Sequence, residues 1–586
     1  MLIYREDDRR INTRDALALV TLAAAADPVD PDAALSLLID VGELEAGIAD
    51  TVSPDRDGLD PLTCEMRRAT LAAAARWYRL TEDGGRLVGR SAEREGGSRI
   101  AATAGGRLPD RSPSGLAESL DRVSRYALPG TVPVHVSEGY AYYGLFPETY
   151  AASAERFWNT SRPRRVAVIG IRSIGTSLSA VVAESLRARG CQTWSCTVRP
   201  HGHPFDRRLA LGEDLEAAWR AEAARGAIFA IVDEGPGLSG SSFASVARAI
   251  RALEVAAHRI VLFPNWDPDP ARLKSDAAEH TWRAHTRWCT DARHAKITPE
   301  AIFGIAAPVV DLSAGTWRST LCDRDAWPAV QPQHERWKVA IPSEQRVLRF
   351  AGLGRYGEAA RDRAERLNDL GLGPRPGRLR HGFLELPFVP GWPLTACRAP
   401  SDAIEIGRYI GAIARAFRAA APADASTLEH MIDTNVRELL DVPSADLLRS
   451  VGTSLPRELP AALIDGRMLA HEWIQSGERL VKVDALDHHR DHFFPGVQSP
   501  AWDLAGAIVE LHMDDTQSQA LLDEYERASG DRRTRRALPF YRLAYTAFRA
   551  GYVAVAATTL AGTEEGDRFA RARARYVAAL TAPSVP

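Results

Sequence analysis

The sequence predicts an α/β multidomain protein with a doubly wound parallel sheet in its middle third, a helical region before it and a two-lobed α+β part after it. Three observations carry this. At 586 residues the chain is too long for one ordinary core and calls for three or four domains. Between residues 164 and 263, short apolar runs alternate with helical stretches, the pattern of a parallel sheet. After a Pro-rich break at 328–333, PAVQPQ, come a strand pair, a helix, a further strand and helical periodicity to the end.

The elements follow in order. In residues 1–110 the Ala- and Leu-rich stretches Asp15–Ala26 and Met66–Leu80 have amphipathic helical spacing, and 93–114, rich in Gly, Ser, Arg and Pro, is expected to be a linker. Residues 111–330 form the α/β domain. It reads strand RRVAVIG, turn IRSIGTS, and helix LSAVVAESLRARG closed by Gly190. Strand QTWSCTV, loop RPHGHPFDR and a helix over 213–225 come next, then strand AIFAIV, turn VDEGPGLSGSSF, a helix to Leu253 and strand RIVLF. Residues 331–586 form the last part, with strands around 337–349, a helix over 358–370, strand-like LRHGFLELPFV and a helical remainder.

Composition narrows the classes. Hydrophobic residues at 45% and charged residues at 25% are globular values. The formal charge of −3, from 73 basic and 76 acidic residues, gives no general attraction to nucleic acid or an anionic membrane. Six scattered cysteines without a CxxC pair suggest neither a zinc knuckle nor a disulfide framework. The charged start and the absence of a long apolar run point to the cytoplasm. The expected partner is a small-molecule acceptor, with no membrane or nucleic acid; a homo-oligomer is left open.

The segment 232–243, VDEGPGLSGSSF, carries the strongest chemistry. A buried strand delivers Asp233 and Glu234 to the carboxyl edge of a parallel sheet, where open α/β sheets bind ligands. Gly237 and Gly240 let backbone approach an anion, and Ser239, Ser241 and Ser242 add hydroxyls at a helix N-terminus. The segment resembles the PRPP motif of type I phosphoribosyltransferases, with one extra residue between the acids and the SGSS turn. The resemblance implies that Asp233 and Glu234 hold the ribose hydroxyls, sharing Mg²⁺ with the diphosphate, and that Ser239, Gly240, Ser241 and Ser242 bind the 5-phosphate. It further implies a diphosphate loop at Arg172, Ser173, Gly175 and Thr176, and a closing loop containing Arg199. The hood over the acceptor falls at 126–158, where Tyr140, Tyr142 and Tyr143 are either a stacking platform or core contacts.

The last part, from RVLRFAGLGRYGEAARDRAERL through IDGRMLAHEWI, KVDALDH and SPAWDLAGA, resembles aminoglycoside phosphotransferase-like kinases. The resemblance implies Arg349 as the basic residue facing ATP, with Glu358 or Glu365 as its partner. Asp465 falls at the catalytic base, His471 near a metal-binding Asn with one extra residue between, Asp484 at the second metal ligand and Asp503 at a structural Asp. The run DALDHHRDHFFPG, 484–496, invites a Zn or Mn site as an alternative.

The leading expectation is a phosphoribosyltransferase using PRPP and Mg²⁺, releasing pyrophosphate, and coupled to a kinase-like domain that uses ATP. The alternatives are a small-molecule kinase with a PRPP-sensing domain, and a non-catalytic nucleotide- or PRPP-binding regulator or defence component.

Overall fold

The computed structural model describes residues 1–4, 9–26, 29–83, 114–237, 239–450 and 459–581. The expected boundary at 110, and all but the last residue of the expected linker, lie outside the described residues.

Strand β1 (Arg10–Asn12) pairs antiparallel with β2 (Thr131–Pro133), and five helices surround them: α1 (Thr13–Ala25), α2 (Pro31–Val52), α3 (Pro61–Asp83), α4 (Ser114–Ser124) and α5 (Pro147–Ser161). Asn12 and Asp30 accept first-turn N–H groups of α1 and α2, and Pro31 opens α2, so each start is written locally. Helix α2 is buried along most of its length, wedged between α3 and α6 (Gly175–Ala188). The buried Arg67 on α3 donates to Thr176 O at 2.7 Å, Ser179 Oγ at 2.9 Å and Ser195 Oγ at 2.7 Å. That guanidinium ties the N-terminal helices to the central sheet.

The sheet is parallel, five-stranded and ordered β4-β3-β5-β6-β7, with β3 at Arg165–Ile171, β4 at Gln192–Val198, β5 at Ile228–Val232, β6 at Ile260–Phe263 and β7 at Thr286–Arg287. Alternate residues of β3 enter different cores. Val166 and Val168 pack with α2, α3 and α6, whereas Ala167 and Ile169 pack with Trp219 of α7 (Glu213–Ala224) and Phe243 of α8 (Ser241–Arg251). Helices on both faces explain why these strands are continuously apolar.

The connection onward carries α9 (Asp276–Ala284), α10 (Pro299–Phe303) and α11 (Arg318–Leu321). A second sheet, antiparallel and ordered β11-β12-β10-β9-β8, is built from β8 (Val310–Asp311), β9 (Lys338–Ile341), β10 (Arg346–Phe350), β11 (Leu379–Arg380) and β12 (Phe383–Pro387), with α12 (Arg355–Asp369) beside it. The boundary expected at 330 is therefore too late, because β8 already pairs with β9. A two-residue strand gives no periodic signal.

The final lobe has a small antiparallel sheet of β13 (Trp392–Pro393), β14 (Trp473–Ser476) and β15 (Arg479–Lys482). Around it stand α13 (Pro400–Ala416), α14 (Ser426–Leu440), α15 (Ala445–Ser450), α16 (Ala501–Glu510), α17 (Asp515–Ser529), α18 (Thr534–Thr559) and α19 (Glu564–Thr581). The first residues of the chain dock on this lobe: Leu2 N donates to Asn435 Oδ1 at 2.6 Å, and Asn435 Nδ2 donates to Leu2 O at 2.9 Å. No helix among the described residues is long and apolar enough to cross a membrane.

Candidate functional site

Two regions gather the residues singled out above. At the carboxyl edge of the parallel sheet, β3 and β5 are neighbours with Gly170 beside Val232, so the turn after β3 meets the turn after β5. A Cβ on Gly175 would lie 2.8 Å from Val232 O and 3.2 Å from Asp233 Oδ1, which shows how tightly the two turns pack. Glu234 Oε2 accepts from Gly139 N at 3.2 Å, and Asp233 Oδ1 accepts from Glu234 N at 2.8 Å. Burial pushes Asp233 up to about 7 and Glu234 up to about 8, the latter with help from Glu138 and Asp233.

The arginines expected to face a diphosphate are held elsewhere. Arg172 is buried and pairs with Asp50 at 2.7 Å and Asp57 at 2.5 Å, while Arg199 makes a two-pronged contact to Asp50 at 2.7 and 2.6 Å. Both acids follow from the packing of α2 and its exit loop. Sequence spacing could not foresee carboxylates arriving from over a hundred residues away. Ser173 has a positive φ of 117°, and Thr176 is buried in the first turn of α6. Gly237 (φ 60°) is exposed, and Gly240 (φ 62°) takes the left-handed turn that starts α8. Ser239 Oγ lies 3.2 Å from Ser241 Oγ, and Ser241 Oγ donates to Pro204 O at 2.6 Å, which brings the Arg199–Arg207 loop against this turn. Ser242 follows in the first turn of α8. The 140–143 aromatics form a short π-helix: Tyr140 is buried with its Oη 2.8 Å from Ser177 Oγ, and Tyr142 Oη donates to Arg490 O. They are core and interlobe contacts.

The second region lies between the antiparallel sheet and the helical lobe. A cleft of about 160 Å³ is roofed by Lys338, Val347 and Arg349 and floored by Ile474, Val483 and Asp484. Leu386, Phe388 and Val389 close its back. Its lining combines apolar side chains with the charged Glu335, Lys338, Arg349, Arg467, Glu472 and Asp484.

Arg349 pairs with Asp484 at 2.9 Å and Asp487 at 2.8 Å. This corrects the expected pairing with Glu358 or Glu365, both of which are exposed on α12. The buried cation that α12 does supply is Arg363, which donates to Ala485 O at 2.7 Å, Leu463 O at 2.9 Å and Ile464 O at 3.1 Å. It fixes two loops from behind.

Asp465 is 1% exposed and accepts from Tyr409 Oη at 2.6 Å. Lys482 stands 3.4 Å away and His488 Nδ1 3.4 Å. Burial opposes its ionisation, but Lys482, His488 and Tyr409 together hold it below the usual carboxylate range. So enclosed, it is a structural anion. Asp503 at the start of α16 accepts the N–H groups of Asp465 and Gly466, both at 2.9 Å, as expected of a structural Asp. His471 stacks on Trp317 with ring centroids 5.0 Å apart, and burial, then Arg467, push it down to about 3.

The residue that meets Asp484 is Glu472. Glu472, Asp484 and His488 place ligand atoms within 4.8 Å of one another. Arg467 lies beside this group. Its guanidinium bridges Glu472 and Asp484, at 2.5 and 2.9 Å, while Lys482 reaches Glu472 at 2.8 Å. The run 484–496 is no single cluster, since His489 is buried and His492 stacks with Tyr4 at 5.0 Å.

No family model and no curated protein matches the chain. Among solved structures, it is similar to a choline/ethanolamine kinase family protein from Mesorhizobium loti at 17% identity, covering 49% of this chain and 92% of that one, with a TM-score of 0.33. A choline kinase from Streptococcus pneumoniae is 16% identical, with 49% and 99% covered and a TM-score of 0.33. An aminoglycoside-3'-phosphotransferase of type VIII is 21% identical, with 36% and 88% covered and a TM-score of 0.24. No score here reaches 0.5, so the functional reading rests on the site's own residues. The phosphoribosyl transfer expected from the sequence finds no support among these proteins.

Proposed function

We propose that the C-terminal half holds a nucleoside triphosphate in the interlobe cleft and transfers its terminal phosphoryl group to a hydroxyl of a small molecule, releasing the diphosphate and a proton. One observation carries this reading: Arg349, Arg467, Glu472 and Asp484 line the cleft together with apolar side chains, and Lys482 and His488 back the two carboxylates. Val347, Leu386 and Ile474 suit a flat base, and the charged side chains suit phosphates. Arg349 offers a fork of donors to phosphate oxygens. Asp503 and Arg363 fix the loop backbones, so the charged groups need little reorganisation when phosphate charge shifts.

Glu472, Asp484 and His488 fit a divalent ion in donor type and spacing, two of the three being carboxylates. When bound, such an ion would supply neutralisation of phosphate charge. Arg467 already lies between the two carboxylates, so an ion has to displace it.

The deciding experiment is ATP titration by calorimetry, followed by phosphate-transfer assays over a panel of hydroxylated small molecules. Asp484→Asn should lower turnover at least a hundredfold; a wild-type protein that fails to bind ATP removes the reading. A second reading, a nucleotide-binding regulator, is favoured by Arg467 bridging Glu472 and Asp484 and by the enclosure of Asp465. It predicts ATP binding without turnover on any acceptor. PRPP binding at Asp233 and Glu234 is a further proposal, and it requires Arg172 and Arg199 to leave Asp50.

A further inference from the structure

A cavity of about 560 Å³ in the helical lobe opens beside the loop 469–471 and shares His471 with the nucleotide cleft. Its wall is aromatic at Trp327, Trp392 and Tyr576, with Trp392 72% exposed at the rim. Tyr576 belongs to α19, which supplies one side of the cavity. Within its segment DRFARARARY, Arg568, Arg571 and Arg575 fall at i, i+3 and i+7, one stripe of the helix, and all three line the cavity.

The charges on this wall are not all answered from within. Glu510 is buried and held by Arg549 at 3.1 Å and by the Tyr545 and Tyr576 hydroxyls at 3.0 and 2.6 Å. Arg568 is answered by Glu564 at 3.2 Å and Glu565 at 2.9 Å. Arg575 touches Glu510 only at 3.6 Å and otherwise meets Tyr576 Oη at 2.9 Å and His512 Nε2 at 3.3 Å. Arg571 has no hydrogen bond or ion pair among the described residues. The wall's remaining acids, Asp323 and Asp325, are exposed and lie outside α19. Two guanidiniums one helical turn apart, over an aromatic floor, suit an organic anion: the forks take its charge and the rings its flat body.

We propose that this cavity is the acceptor site and that it selects a hydroxylated ring compound bearing a carboxylate or phosphate group. This rests on the phosphotransferase reading for its role, but the selection itself is a binding property that is measured without nucleotide. The anion docks at Arg571 and Arg575, which leaves the hydroxyl end free to approach the 469–471 loop and the cleft beyond it.

Three probes with one ring and one hydroxyl separate charge from shape: 4-hydroxyphenylacetate, neutral 4-hydroxyphenylacetamide and cationic tyramine. Calorimetry should find 4-hydroxyphenylacetate bound at least tenfold more tightly than either of the others, with affinity falling as salt rises. A fourth probe, 4-hydroxybenzylphosphonate, tells a phosphate site from a carboxylate site by which anion binds more tightly. Arg571→Gln with Arg575→Gln should erase the preference, whereas Arg573→Gln, exposed and off the cavity wall, should keep it. Equal affinity for tyramine, no binding of any probe, or a preference that survives the double substitution overturns the proposal. Anion selectivity without ATP binding would instead overturn the nucleotide reading alone.

Discussion

At the end of β5, the carboxylates of Asp233 and Glu234 lie close together with backbone N–H groups as their only hydrogen-bond partners among the described residues, whereas in the C-terminal cleft Asp465, Glu472, Asp484 and Asp487 each meet at least one side-chain cation. Asp465, Glu472 and Asp487 are buried, whereas Asp233, Glu234 and Asp484 are half-buried. Burial raises the first pair toward neutrality, while Lys482 holds Asp465 down, and Arg349 does the same for Asp484 and Asp487. The lesson is that partner supply, more than residue type or depth, fixes whether a buried acid is charged. Of the arginines near this edge, Arg172 and Arg199 pair with Asp50, while Arg199 and Arg207 favour ionisation of Asp233 with no ion pair to it among the described residues.

The largest effect should come from breaking the answered side. Lys482→Met strands Asp465 and Glu472 in the interior, and loss of one partner of a buried pair costs about 3–5 kcal/mol. Denaturant unfolding of the helical lobe should show it, and a loss below about 1 kcal/mol would mean that Tyr409, His488 and Arg467 suffice.

Releasing the unanswered side's arginines is the next test. Asp50→Asn removes the charge shared by Arg172 and Arg199, and should give pyrophosphate binding at least tenfold tighter than wild type by calorimetry. Unchanged affinity would mean that this sheet edge is no anion site at all.

The acid pair also predicts a pH profile. An acid whose folded value lies above its unfolded value of about 4 favours the fold when protonated, so that contribution is present below about pH 4. It is lost as pH rises through about 7 for Asp233 and about 8 for Glu234. Thermal stability should therefore decline across that window in the wild type and decline less in Asp233→Asn with Glu234→Gln. Parallel profiles would show that the pair is solvated.

The smallest effect is expected at the rim. Arg208 and Asp206 pair at 3.1 Å with both side chains more than half exposed, so Asp206→Ala should change stability by less than about 0.5 kcal/mol. A larger change would mark the 199–207 loop as structurally coupled to Ser241, through Pro204.

How much was readable in advance differs by scale. Strands β3 to β6 and helices α6 to α8 lie where the apolar runs and turns put them, because a strand buried on both faces leaves a continuous apolar signature. Asp503 is singled out only through the kinase resemblance, and the N–H groups it accepts, those of Asp465 and Gly466, come from a loop far off in the chain. The role of Arg349 as a cation facing the cleft was legible, but its partner was not. A helix over 355–369 offers several acids, and which face turns inward depends on packing against the second sheet.

The sequence by itself determined the parallel sheet, the acid pair and serine turn at its edge, and the order of charged loops in the last part, because each is a short-range pattern of hydrophobicity, glycine and spacing. Only the tertiary structure decided that Arg172 and Arg199 belong to Asp50, that Glu472 rather than His471 joins Asp484, and that Arg467 lies between them. Those are choices among many possible ion pairs. Charges separated by up to 150 residues find one another only when the core has already fixed which surfaces meet, and the desolvation of each buried group then leaves a single economical pairing.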